Sequence, residues 1–167
     1  MNTEPDSRCP SIDIEIDDDR WIVHFPELEE DVTQAFKKVV QKISPHLQTY
    51  QVCLVFSHNQ AVQELNKTYR HKNKPTNVLS FPADTLGVPL PVKLLGDIIM
   101  AFETVKQEAL EQNKTFRDHT LHLTVHGALH LFGYDHVIPE AAEQMESLEI
   151  EILSELGIAN PYEVSHA

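Results

Sequence analysis

The chain has 167 residues, of which 41% are hydrophobic and 23% charged, a composition typical of one soluble globular domain. Its formal net charge of −13 argues against broad, nonspecific affinity for nucleic acid. No apolar run approaches the ~18 residues needed to cross a bilayer. The acidic N-terminal segment also lacks the basic start and apolar core of a signal peptide. We therefore expect a cytoplasmic protein without a membrane partner.

Four strands are predicted from short apolar or alternating segments. They are SIDIEID near the N-terminus, VCLVF around Cys53, NVLSF at 77–81 and LLGDIIM at 94–100. Because helical segments alternate with these strands, we expect an α+β fold of α/β type, with a small mixed sheet of about four strands. One domain would span residues 1–167, with residues 1–10 and 158–167 as flexible tails.

About five helices are predicted to pack on this sheet. The first covers residues 27–43 and ends at Ser44-Pro45, and the second begins with a capping box at Ser57 and Gln60. The others cover about 101–112, the segment that starts at Thr115, and the segment from Pro139 to Gly157.

Basic and acidic residues are unevenly distributed. KTYRHKNK, residues 67–74, holds four of the thirteen Lys and Arg residues, whereas residues 139–167 carry seven carboxylates and no Lys or Arg. A compact basic spot on an acidic protein favours a short anionic ligand over the coating of a long nucleic acid. Taken alone, such a charge run is more often a solvated loop.

Four histidines occur within HLTVHGALHLFGYDH, residues 122–136. At 100° per residue, one side of the predicted helix is apolar and a histidine stripe runs beside it. The apolar side comprises Leu121, Val125, Ala128, Leu129 and Phe132, and the stripe comprises His119, His122, His126 and His130. A helix with so many apolar residues must be largely buried. We therefore expect its histidines to line a cleft.

His126 and His130 have the i, i+4 spacing at which two imidazoles can hold one ion. Gly133 can end the helix in a left-handed turn that brings His136 back as a third ligand. Three nitrogens leave one coordination position open, as in catalytic zinc sites. Two histidines at this spacing are more often ordinary core or surface residues, but the added Gly133 and His136 favour the binding of a metal ion.

Two neighbouring residues each have more than one possible role. His122 lies one turn upstream, slightly too far along the helix to share the ion, so it either supports the site from behind or faces substrate. A buried, hydrogen-bonded histidine is nearly as good an interpretation, and we expect His119 at the surface. Asp135 either orients a ligand imidazole or is a turn residue after Gly133.

The pattern H-x3-H-x2-G-x2-H matches the ligand spacing of metzincin peptidases, which carry Glu directly after the first histidine as general base. Here that position is Gly127. A metallopeptidase, or another small-molecule metallohydrolase, remains an alternative, but without its base it is disfavoured.

HGALHLFGYDH, LNKTYRHKNKPTNVLSFP (residues 65–82) and GDI (residues 96–98) together resemble the YbeY family of bacterial rRNA maturation factors. The resemblance runs from about residue 11 to 157. It implies a zinc-dependent, single-strand-specific endoribonuclease that matures the 3′ end of small-subunit rRNA and acts in ribosome quality control. It also implies zinc on His126, His130 and His136 and an active-site arginine at Arg70.

Arg70 lies in the basic cluster, where a guanidinium can clamp two phosphate oxygens; the alternative is a salt bridge at a helix end. Lys67, Lys72 and Lys74 would attract phosphate. Many family members have Asp where this chain has Asn73 and Asn77, so an acid/base role there is doubtful.

Single-stranded RNA and the small ribosomal subunit or its proteins are the expected partners. A third class of function is a non-catalytic, zinc-containing ribosome-assembly factor. It stays open because the acidic surface would complement basic ribosomal proteins.

Overall fold

A computed structural model describes residues 11–83, 92–135 and 137–162. The strands are β1 (Ser11–Ile16), β2 (Tyr50–Ser57), β3 (Val78–Pro82) and β4 (Lys93–Ala101). The helices are α1 (Arg20–His24), α2 (Leu28–Ile43), α3 (Asn59–Arg70), α4 (Phe102–Glu111), α5 (Phe116–Leu131) and α6 (Pro139–Glu155). This single α+β domain confirms the predicted fold class, with one short helix more than predicted.

The sheet has the order β1-β2-β4-β3, and β3 is its only antiparallel strand in the part of the chain that is described. Side chains of β4 alternate between two faces, as strand geometry requires. Ile98 and Met100 enter the main core, whereas Ile99 and Ala101 pack in a smaller cluster with Val62 of α3. The main core therefore lies on the face of the sheet opposite α3. Strand β3, which pairs with β4, forms one edge of the sheet.

Helix α5 is the central element of the main core. It contacts α2, α4 and α6 as well as strands β3 and β4. Its predicted start is confirmed, because Thr115 Oγ1 accepts a hydrogen bond of 3.0 Å from the Asp118 N–H. Leu121, Val125 and Leu129 are buried, which confirms the apolar side that the sequence predicts.

The short helix α1 was not predicted, since five residues are too few to display a helical period. Its Trp21 is fully buried, and the indole N–H donates to the Ser57 carbonyl at 2.8 Å. The indole also packs edge-on against Phe56 and Phe102. One buried aromatic residue thus fixes this helix on the sheet.

The predicted capping box of α3 is wrong by one residue. Ser57 is the last residue of β2, and the N-cap is His58, whose Nδ1 accepts from the Ala61 N–H at 3.3 Å. The pairing of β2 with β4 extends to Ser57, so the sheet determines where the helix can begin.

The predicted C-terminal tail also begins too early. Ile158 is buried in the core and Tyr162 contacts Glu149, so residues 158–162 pack on the domain. The predicted N-terminal tail at 1–10, the last five residues of the predicted C-terminal tail (163–167) and the predicted ligand His136 lie outside the described residues. Among the helices described, none has the length and apolarity to cross a membrane.

Candidate functional site

A cleft of about 790 Å³ opens between β3, the end of α3 and the C-terminal end of α5. It is lined by Arg70, Lys72, Thr76, Asn77, Val78, Ser80, Pro82, His126, His130, Gly133, Tyr134, Asp135 and Val137. The cleft therefore brings together the histidine helix and part of the basic cluster, although these segments are more than fifty residues apart in the sequence.

His126 and His130 form a convergent pair in the cleft wall. Their Nε2 atoms lie 3.1 Å apart, and their rings are nearly perpendicular at 78°. Two nitrogens on one tetrahedral zinc ion, each ~2.0–2.1 Å from it, would be roughly 3.3 Å apart. The donor type and the spacing of this pair fit zinc. No group of three His, Cys, Asp or Glu side chains suited to a metal is found among the described residues, which do not include His136.

Glu149 on α6 supports the pair from behind. The carboxylate is fully buried and accepts from His126 Nδ1 at 2.6 Å and from His122 Nε2 at 3.0 Å. Tyr162 also donates its hydroxyl to the same carboxylate. A carboxylate acceptor on Nδ1 fixes the His126 tautomer and directs Nε2 toward the cleft, as in carboxylate–histidine–metal arrangements.

Glu149 is a functional residue that the sequence analysis missed. The available signal is its place on the apolar stripe of α6, four residues after Met145 and three before Ile152, both of which are buried. A carboxylate on such a stripe needs a hydrogen-bonding partner in the core. The two histidines of α5 supply it.

Burial and hydrogen bonding oppose each other in this buried network. Burial raises the pKa of Glu149, but the hydrogen bonds from His122 and His126 outweigh it and lower that pKa to about 2. Burial lowers the pKa of His122 below its usual value of 6.5, although Glu149 opposes the change. At neutral pH the carboxylate is thus ionised, and neutral His122 donates to it.

The two upstream histidines lie deeper than the cleft. His122 is buried and bonded to Glu149, which agrees with the interpretation of a buried, hydrogen-bonded residue. The expectation that His119 lies at the surface is wrong, because it is only 2% exposed and its Nε2 is 2.8 Å from Glu108 Oε1. The contact between α4 and α5 covers this position, which the helical period alone did not reveal.

Arg70 is the last residue of α3 and faces the cleft. Its Nη2 donates to the Ser80 carbonyl at 3.2 Å, and no carboxylate within the described ranges forms an ion pair with it. The alternative of a salt bridge at the helix end is therefore not observed. His71 follows in the left-handed conformation (φ 57°) and ends the helix.

The three lysines of the basic cluster separate in space. Lys72 lines the cleft beside Arg70, whereas Lys67 and Lys74 are exposed and are absent from its wall. The backbone of Lys74 is held by its carbonyl, which accepts a hydrogen bond of 2.9 Å from Asn66 Nδ2. Phosphate attraction by Lys67 and Lys74 would thus act from outside the cleft.

The remaining predicted polar residues have local partners. Asp135 lines the cleft, and its Oδ1 accepts from the Val137 N–H at 2.7 Å, which agrees with a turn residue. Asn77 caps the start of β3 by accepting from the Val78 N–H at 2.6 Å, and its amide donates to Glu108. Asn73 accepts from Gln63 at the surface.

Gly127 lies where α5 packs closely on the sheet. A Cβ at this position would lie 3.1 Å and 3.2 Å from two side-chain carbons of Ile98 and 3.2 Å from Ser80 Oγ. The Ser80 hydroxyl also donates to the Gly127 carbonyl at 3.3 Å. A glutamate at this position would require the side chains of Ile98 and Ser80 to shift by a few tenths of an ångström.

The chain is similar to a known protein family. A family model described as endoribonuclease YbeY matches residues 13–157. A relative with that name from Agrobacterium fabrum is 50% identical over 143 residues, which cover 84% of this chain and 77% of the relative. Another from Parvibaculum lavamentivorans is 51% identical over 124 residues, covering 70% and 67% respectively.

A solved structure shares the fold. The solution structure of a protein from Thermotoga maritima superposes with a TM-score of 0.53 at 25% sequence identity, covering 93% of this chain and 98% of that one. The family match covers nearly the whole described domain, including the histidine helix and the basic cluster. The chain therefore belongs to the endoribonuclease YbeY family.

Proposed function

We propose that this protein is a zinc-dependent endoribonuclease specific for single-stranded RNA. It would mature the 3′ end of small-subunit rRNA in the cytoplasm and act in ribosome quality control, with the small subunit or its proteins as partner. The observation that carries the proposal is that one cleft is lined by both the His126–His130 pair and Arg70. Membership of a family whose relatives are named endoribonuclease supports it.

One zinc ion per chain would be held by His126, His130 and His136. The 3.1 Å separation of the first two Nε2 atoms supports this assignment. When bound, zinc supplies Lewis acidity toward a phosphate oxygen and a water of lowered pKa. The chain's own contribution is to hold the imidazoles in place: Glu149 fixes His126 through Nδ1, and burial keeps water from competing for that carboxylate.

Arg70 would bind the phosphate that is cleaved. Its guanidinium has five N–H donors in a planar fork, and the bond to the Ser80 carbonyl holds one arm against the edge strand. The cation can thus neutralise the charge that grows on the phosphate oxygens in the transition state. Lys72, in the same wall, would add attraction for the RNA backbone.

A peptidase is the weaker alternative. Its general base would occupy position 127, where this chain has Gly and where a Cβ would make tight contacts of 3.1–3.2 Å with the side chains of Ile98 and Ser80. A non-catalytic assembly factor would use the same fold and zinc, and it differs in having no turnover.

The test is cleavage of single-stranded rRNA fragments by the zinc-loaded protein. We expect His126→Ala to abolish cleavage and Arg70→Ala to reduce kcat/KM by at least about a hundredfold, as for the loss of one transition-state donor. Matched controls are His46→Ala and Arg117→Ala, which change exposed residues outside the cleft wall. Equal activity in all variants would identify a contaminating nuclease. Tight binding to pre-ribosomes without any cleavage would favour the assembly factor.

A further inference from the structure

A second cavity, of about 270 Å³, lies beside the cleft. This side cavity is bounded by α4, the upstream half of α5 and residues 161–162. Asn77 and His126 line both the cleft and the side cavity. The cleft and the side cavity therefore share part of their walls.

Glu108 supplies a hydrogen-bond acceptor to the side cavity. Its Oε1 accepts from His119 Nε2 at 2.8 Å and from Asn77 Nδ2 at 3.0 Å. Burial raises the pKa of this carboxyl, but those hydrogen bonds outweigh burial and hold the pKa below its usual value. An ionised carboxylate can accept about four hydrogen bonds, so these two donors leave acceptor capacity. The side chain is 28% exposed, which makes that capacity accessible to a ligand.

Lys114 supplies a donor to the same cavity. Asn113 before it adopts the left-handed conformation (φ 56°), and the Lys114 N–H donates to the Ala109 carbonyl at 2.9 Å across the turn. This turn fixes Lys114 against the end of α4. The ammonium group makes no ion pair within 4 Å in the described portion of the chain, and burial lowers its pKa although the charge of Glu108 opposes this. Acceptor and donor thus line one cavity without pairing with each other.

The other lining residues are mostly rings and apolar groups: Gln112, His119, His122, Leu123, His126, Pro161 and Tyr162. Leu123 is buried, Pro161 is apolar, and Tyr162 is 42% exposed. A volume just below the ~300 Å³ lower bound of ordinary ligand pockets has room for one ring system. Single-stranded RNA is recognised by stacking of splayed bases on such rings and by hydrogen bonds to their Watson–Crick edges.

We propose that the side cavity binds one unpaired guanine of the RNA, adjacent to the bond that is cleaved. Glu108 accepts from the guanine N1–H and amino group, and Lys114 donates to O6. Among the four bases, guanine alone presents two adjacent donors next to an acceptor on this edge. In the same orientation, adenine would place its N1 acceptor against the Glu108 carboxylate and its amino group, a donor, against the Lys114 ammonium group. This inference rests on the proposed nuclease function and gives it a base preference.

The test uses oligouridylates that carry a single guanosine at successive positions, with adenosine and inosine as replacements. The wild-type protein should cut at a constant distance from the guanosine, with kcat/KM roughly tenfold to a hundredfold above the adenosine substrate. Inosine, which lacks the amino group, should give an intermediate value. Lys114→Gln and Glu108→Gln should each reduce the preference to less than about threefold. Lys37→Gln, the same change at an exposed residue of α2 outside both cavities, should preserve it.

Binding of the same RNAs, followed by fluorescence anisotropy, separates the two proposals. Cleavage without a guanine preference would overturn the base pocket and leave the nuclease function intact. Guanine-selective binding that is lost in Lys114→Gln, with no cleavage in the wild type, would support the pocket and refute the nuclease. Absence of both cleavage and selective binding would refute both. Lys114 makes no side-chain hydrogen bond or ion pair in the described ranges, so its variant remains informative even if Glu108→Gln misfolds.

Discussion

The two halves of α5 each carry two histidines, and the surroundings of the halves differ. His119 and His122, in the first half, are buried and hydrogen-bonded to carboxylates from α4 and α6. His126 and His130, in the second half, line the cleft with their Nε2 atoms facing each other. The helix period thus places all four histidines on one stripe, whereas the packing of neighbouring helices decides which of them face the cleft.

The largest expected effect is on zinc binding in the second half. His126→Ala and His130→Ala should each weaken zinc binding by more than about a hundredfold, because the loss of a ligand exceeds the 10–100-fold loss seen when a supporting residue is removed. His122→Ala should retain zinc close to the stoichiometry of the wild type. Elemental analysis and competition with a chelator measure this. Loss of zinc in His122→Ala with retention in His130→Ala would show that the first half of α5, and not the second, holds the metal.

The second prediction concerns the acid stability of the metal-free protein and tests the residue that links the halves. The pKa of Glu149 is about 2 in the folded protein and 4.5 in a model compound, so its stabilisation is present above pH 4.5 and lost as the pH falls toward 2. The shift corresponds to at most about 3 kcal/mol. The lowered pKa of His122 has the same effect on stability: protonation of this residue also destabilises the folded protein as the pH falls below 6.5.

Denaturant unfolding at several pH values between 7 and 3 measures this effect. Glu149→Gln should be less stable at pH 7 and should lose less stability on acidification, because the amide does not titrate. Glu151→Gln, an exposed residue of the same helix that pairs with Lys42, is the control and should follow the wild type. Parallel curves for wild type and Glu149→Gln would exclude Glu149 as the titrating group.

Features that depend on local sequence were predictable, whereas features that depend on contacts between helices were not. The four strands, the start of α5 at Thr115 and its apolar side depend on local period and capping, which the sequence contains directly. The burial of His119 and the role of Glu149 depend on contacts between helices, and no local pattern encodes which helices meet. Trp21 and its short helix were missed for another reason, because a five-residue helix has no complete period.

The third prediction concerns stability in the first half. His119→Ala should lower the free energy of unfolding by about 1–3 kcal/mol, because it leaves a partly buried carboxylate of Glu108 with one donor fewer and opens a cavity. Zinc content should not change. His119→Gln should recover part of the loss, since its amide can donate to Glu108. Chemical denaturation measures the difference. A loss of zinc in both variants would mean that the first half contributes to the metal site directly.

The smallest effect is expected at Gly127, where the two halves meet. Alanine in the middle of a helix is favoured over glycine by about 1 kcal/mol. Here, however, the new methyl group would lie 3.1 Å from a carbon of fully buried Ile98, and overpacking a core costs about 1–3 kcal/mol. We expect Gly127→Ala to be destabilising by up to about 2 kcal/mol, the difference between these two effects, measured by thermal unfolding. Its partial recovery in the double variant with Ile98→Val would assign the cost to this contact. A more stable Gly127→Ala would show that the sheet yields to the methyl group, and the steric argument against a glutamate at this position would then be weaker.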